Sequence, residues 1–81
     1  MRTLAKRLQV ARTILDLLNQ QPLGRTPLEN RTIKKADVTH AVFEGIFQFL
    51  RQNGYLEKSS QKHRAPYQIT EKGRKLQKGL A

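Results

Sequence analysis

Residues 67–77 read "YQITEKGRKLQ", and the stretch changes character halfway through. Tyr67, Gln68, Ile69 and Thr70 alternate as a short, half-buried strand does. From Glu71 the alternation stops. Thr70 suits the N-cap of a helix, and Leu76 and Leu80 stand one helical repeat apart. A strand therefore runs straight into a basic helix of two or three turns. Just upstream, residues 59–66 read "SSQKHRAP", polar and cationic, and before them Tyr55 to Lys58 supply another short strand. Two strands around such a loop predict a β-hairpin with a basic tip.

Working outward, Asn53 and Gly54 form a helix stop, with Gly54 supplying a left-handed conformation. The helix they end is predicted over residues 38–53, with Asp37 as its N-cap. On a helical wheel Val38, Val42, Phe43, Ile46, Phe47, Phe49 and Leu50 cover about half the circumference. His40, Ala41, Glu44, Gly45, Gln48, Arg51 and Gln52 occupy the other half. Phe43 and Phe47, at i and i+4, are expected in the core. Further upstream, "TPLE" at 26–29 is a helix-start signal, with Thr26 as cap, Pro27 in the first helical position and Glu29 completing a capping box. It predicts a short helix over about 27–35 that offers Leu28 and Ile33 to a core. Residues 3–20 form the first helix, with Leu4, Leu8, Ala11, Leu15 and Leu18 on one stripe, widened by Val10, Ile14 and Leu17. Gln21 to Gly24, with Pro22, break it.

Eighty-one residues predict one domain, 1–81, at a size where a single core is barely sufficient. Leu, Ile, Val and Phe make up 21 of the 81 residues. That is above the roughly one-fifth below which a highly charged chain stays disordered, so a core is expected. There is no cysteine, and His40 and His63 lie far apart without ligand spacing, so neither a metal nor a cofactor is expected. "MRTLAKRLQVAR" has no apolar h-region, and no apolar run approaches the roughly 18 residues of a membrane span. A soluble cytoplasmic protein with no membrane partner is the expectation.

Charge is the strongest compositional signal. The chain carries 16 Lys and Arg against 6 acidic residues, a formal net charge of +10. The imbalance is uneven: residues 1–25 carry +4, residues 26–50 zero and residues 51–81 +6. A purely solubilising charge has no reason to spare the middle third. A polyanionic partner, most often nucleic acid, accounts for it.

The order helix, short helix, longer helix, hairpin is that of winged helix-turn-helix domains. "FQFLRQNGYLEK" (47–58) resembles the end of a recognition helix and its step into the first wing strand. "YQITEKGRKLQ" resembles a second wing strand entering the next helix, as in MarR- and PadR-like regulators. The resemblance covers residues from about 4 to 80. It implies a mainly α fold of three to four helices with a small β-hairpin, and double-stranded DNA binding by a small transcriptional regulator, nucleoid-associated in a prokaryote.

Carried onto this chain, the resemblance makes Lys58, Lys62, His63 and Arg64 wing contacts to phosphate. It makes Thr39, His40, Glu44 and Gln48 the base-reading candidates of helix 38–53. Arg31, Lys34, Lys35, Arg51, Lys72 and Arg74 are further phosphate candidates, with Arg7 and Arg12 behind them. Glu44 departs from the pattern: a carboxylate at the centre of the polar face repels phosphate, although it can accept from a cytosine amino group.

An enzyme is not expected. Asp37, Thr39 and His40 crowd one helix start, where capping accounts for the Asp and Thr, and neither paired carboxylates nor a Gly-rich phosphate loop is present. Two other readings stay open: an RNA-binding or ribosome-associated winged helix, and a protein-interaction module using the phenylalanine-rich helix. A monomer or weak homodimer is expected, because the first helix is needed to cover the core.

Overall fold

The computed structural model describes residues 4–80. The expected helix start at Thr3 and the outermost residues of the 1–81 span lie outside the described residues. The elements are α1 (Leu4–Gln20), α2 (Arg25–Ala36), α3 (His40–Gln52), β1 (Leu56–Lys58), β2 (Tyr67–Ile69) and α4 (Glu71–Leu80). This is the mainly α arrangement, with a two-stranded hairpin, that the sequence predicts.

One contiguous core joins these elements. α1 contributes Val10, Ile14 and Leu15, α2 Leu28, α3 Phe43, Phe47 and Leu50, and the hairpin Leu56 and Ile69. The Phe43 and Phe47 rings stack at 5.4 Å, and Phe47 meets Tyr67 edge-on at 5.0 Å. Three residues of the predicted apolar stripes are exposed: Leu4 by 70%, Leu8 by 42% and Phe49 by 53%. The stripe on α1 becomes buried only from Val10 onward. Phe49 sits at the edge of the apolar arc, one position around the helix from buried Leu50.

Two helix starts differ from expectation. α2 begins at Arg25, with Gly24 rather than Thr26 as N-cap and no side-chain hydrogen bond closing it. The Leu28 N–H donates to the Gly24 carbonyl at 3.0 Å, so the first turn closes two residues earlier. Pro27 fits inside that turn because its missing N–H would have had no helical partner there. Asp37 does not cap α3. It ends α2 in the left-handed conformation, φ 56°, with its N–H bonded to the Ile33 carbonyl. Asp tolerates this region better than most residues, and the reversal between the two helices needs it. Thr39 caps α3, its hydroxyl accepting from the Val42 N–H at 3.3 Å.

β1 and β2 pair antiparallel, with Leu56 opposite Ile69, Glu57 opposite Gln68 and Lys58 opposite Tyr67. Leu23 adds a single rung on the far side of β2: its N–H and carbonyl bond to the Tyr67 carbonyl and N–H at 3.0 and 2.7 Å. The segment read as a helix breaker is thus also a piece of sheet. Gly54 takes the left-handed turn expected of it, φ 78°. Thr70 caps α4 as expected, accepting from the Gly73 N–H at 3.0 Å and donating to the Gly54 carbonyl at 2.7 Å. Leu76 and Leu80 pack on the core, and Gln77 donates to Asp16 of α1 at 2.7 Å.

Thr32 is fully buried, and its hydroxyl has no hydrogen-bond partner among the described residues. A buried unsatisfied polar group costs about 1–3 kcal/mol. Thr32→Val keeps the shape and removes the hydroxyl, so it should stabilise the fold by about 1 kcal/mol. That corresponds to a thermal midpoint higher by roughly 4–8 °C for a domain of this size. An unchanged or lower midpoint would show that the hydroxyl is satisfied in solution.

Candidate nucleic-acid interface

The hairpin projects its loop beside the start of α2. The Ser59 N–H donates to the Pro66 carbonyl at 2.8 Å and closes the loop base, and the Ala65 N–H bonds the Lys62 carbonyl at 3.1 Å within it. Strand alternation puts Lys58 on the same face as Leu56, in the rung next to the loop. Its ammonium reaches the His63 carbonyl at 3.3 Å.

Between this loop and the first turn of α2 lies a cleft of about 620 Å³. Arg25, Lys58, His63 and Arg64 line it, and no carboxylate does. The uncapped start of α2, which carries the positive end of the helix dipole, opens onto the same space. The Arg25 guanidinium lies over the Phe47 ring and that of Arg51 over Tyr67, each 5.6 Å from the centroid. Because those two rings touch, both arginines flank one aromatic pair beside the cleft. Cations from α2 and the wing therefore share the cleft, with Arg51 of α3 beside it, a placement suited to an anionic backbone.

All four base-reading candidates at α3 are engaged within the chain. His40 pairs with Glu29 of α2, and Glu44 pairs with Arg25 of α2. Gln48 donates from its amide to Glu44 at 3.0 Å. Thr39 holds the helix cap. Glu44 thus stands opposite a cation at the cleft's edge and neutralises part of its charge. Ala41, Gly45 and Gln52 are exposed on the outer side of α3, whereas Gln48 is half-buried.

The remaining cations are dispersed. Lys62 is exposed at the loop tip, with its backbone N–H bonded to the Ser60 hydroxyl. Arg31, Lys34 and Lys35 surround a shallow hollow over Leu17, on the flank of α2 that faces α1. Lys72 bonds the Asn53 carbonyl at 2.7 Å and lies 4.8 Å from the Tyr55 centroid, at the start of α4. Arg74 is exposed on α4. Of the expected phosphate contacts, the structure brings together Lys58, His63 and Arg64 at the cleft, places Arg51 over Tyr67 beside it, and separates the rest.

Arg25 is the residue that sequence reasoning passed over. One signal marks it: a cation in the first position of a helix opposes the helix dipole. A local rule broken in this way points to a functional or compensated position. Among the described residues, no group of three or more His, Asp or Glu is placed to hold a metal ion, and no helix is long and apolar enough to cross a membrane.

Neither a protein-family model nor a curated protein matches the sequence. Among solved structures, the crystal structure of SSV1 F-93 superposes with a TM-score of 0.70 at 20% sequence identity, covering 88% of this chain and 79% of that one. Likeness at that identity establishes the architecture, a winged helix-turn-helix, in which the 59–66 loop is the wing.

Proposed function

We propose that the chain binds double-stranded DNA as a small transcriptional regulator, holding the phosphate backbone in the cleft between α2 and the wing. The observation that carries this reading is the convergence of Arg25, Lys58, His63 and Arg64 on one cleft without a lining carboxylate. Arg51 extends it, while Lys62, Arg31, Lys34, Lys35, Lys72 and Arg74 supply outlying charge that strengthens encounter more than register. The kinship with MarR- and PadR-like regulators belongs to the same reading and rests on residues 47–58 and 67–77. Base reading is modest, because His40, Glu44 and Gln48 must exchange partners within the chain for base edges. Phosphate contacts then set position, and sequence preference is a smaller addition.

Competition between duplex DNA, single-stranded DNA and structured RNA for the full chain tests this. Duplex DNA should displace a labelled duplex at the lowest concentration. Preferential displacement by structured RNA would transfer the cleft to an RNA backbone, and no displacement by any of the three would remove the nucleic-acid reading.

A further inference from the structure

The exposed large hydrophobics of the described residues are Leu4, Leu8 and Phe49, and all three line one hollow. Scattered apolar residues on a surface need no explanation, but their convergence does. The hollow, of about 250 Å³, lies between the first turns of α1 and the flank of α3 turned away from the wing cleft. It shares Arg7, Gly45 and Ile46 with a second hollow of about 320 Å³ that reaches Lys6 and Val42. Together they make one groove. Leu4, Leu8 and Ala11 form one wall and Val42, Ile46 and Phe49 the other, each wall following helical spacing.

Gly45 occupies the middle of α3, where glycine weakens a helix. A Cβ built there would meet nothing within 4 Å among the described residues. That leaves room for a close approach from outside the chain. The electrostatics narrow the choice: Lys6 and Arg7 line the groove, and none of the described carboxylates does. Lys6 also bonds the Ala36 carbonyl at 2.7 Å. A second copy of a chain with net charge +10 would set like charges against each other.

We propose that the α1–α3 groove docks an amphipathic helix of a partner protein, its apolar face on Leu8, Ile46 and Phe49 and its flanking carboxylates facing Lys6 and Arg7. Two walls of helical periodicity receive a third helix by ridge-into-groove packing, and anchors at i, i+4 and i+7 match them. This surface lies apart from the wing cleft, so the chain can hold a partner and a nucleic acid at once.

The test uses the full chain, isotope-labelled, and two synthetic helical peptides with the same leucine face, one flanked by glutamates and the other by lysines. The glutamate peptide should shift the resonances of Leu8, Gly45, Ile46 and Phe49 and bind at least about tenfold more tightly than the lysine peptide. Phe49→Ser should weaken it by about tenfold or more. Gly45→Leu, whose Cβ meets nothing within 4 Å, should do the same. Equal binding of the two peptides, shifts confined to other surfaces, or no binding would overturn the proposal. So would a concentration-dependent homodimer that perturbs these same residues, or displacement of the peptide by duplex DNA.

Discussion

Gly73→Ala should lower the stability of the domain by about 2 kcal/mol or more, because overpacking a close contact typically costs about 1–3 kcal/mol. A Cβ at Gly73 would stand 2.0 Å from the Tyr55 carbonyl oxygen and 2.8 Å from Ile69 Cγ1. The nearer atom is backbone and cannot rotate away. That carbonyl also accepts from the Thr70 N–H at 3.2 Å, so moving it disturbs the junction of both hairpin strands. The alternative is for α4 to lift off, which breaks the Gly73–Thr70 cap and exposes Leu76 and Leu80. Alanine's better helix propensity offsets at most about 1 kcal/mol. The thermal midpoint should fall by roughly 8–16 °C, taking about 4–8 °C per kcal/mol. Gly79→Ala is the control on the same helix: nothing lies within 4 Å of its Cβ position, and it should be neutral or slightly stabilising. If Gly73→Ala melts with the parent, α4 does not sit against Tyr55 in solution.

Gly73 and Gly79 look alike in the sequence, and their difference shows what kind of information is legible there. Patterns that arise within one element were readable. The apolar faces of α1 and α3, the left-handed Gly54, the Thr70 cap and the core positions of Phe43 and Phe47 all follow from local spacing and backbone sterics. Features created where elements meet were not. A Gly73 pressed on a carbonyl eighteen residues earlier has no local signature, and neither does the single Leu23–Tyr67 rung. Asp37 and Thr39 are both good caps, and only the path of the chain between α2 and α3 decides which of them caps α3.

The candidate site divides the same way. The basic 58–64 run is visible as composition, and the resemblance supplied a reason to call it a wing. That Arg25 would join it, and that Glu44 would face Arg25, depends on how α2 and α3 cross. The same crossing separates Arg31, Lys34 and Lys35 from the cleft, although their charge is equally plain in sequence. The exposure of Leu4, Leu8 and Phe49 has no sequence signal, because an apolar stripe reports only which face is apolar. It does not report where the covering element stops.

Binding to duplex DNA should be steeply dependent on salt. If about five phosphates are neutralised, log K falls against log salt with a slope of about −4 to −5. Between 50 and 200 mM salt the affinity then drops roughly 250- to 1,000-fold. A measurable affinity with a flat salt response would defeat the electrostatic reading. The structure adds a distinction within the wing. Lys62→Ala with Arg64→Ala should weaken all duplex sequences alike and reduce the slope by up to about 2, since each phosphate-contacting cation contributes about 1. Taken singly, Arg64→Ala and Arg25→Ala should each carry more of the loss than Lys62→Ala, because Arg64 and Arg25 line the cleft and Lys62 stands at the tip. The reverse ranking would place the backbone along the loop tip and empty the cleft of its role. Glu44→Gln should act in the opposite direction. It removes the carboxylate that pairs with Arg25, freeing the guanidinium for phosphate and lifting a repulsive charge from the edge of α3. Affinity for random duplex should therefore rise several-fold, while the gap between preferred and random sites narrows, because a carboxylate that tolerates cytosine no longer discriminates. If Glu44→Gln tightens every duplex equally, Glu44 only restrains Arg25, and α3 positions the protein without reading bases.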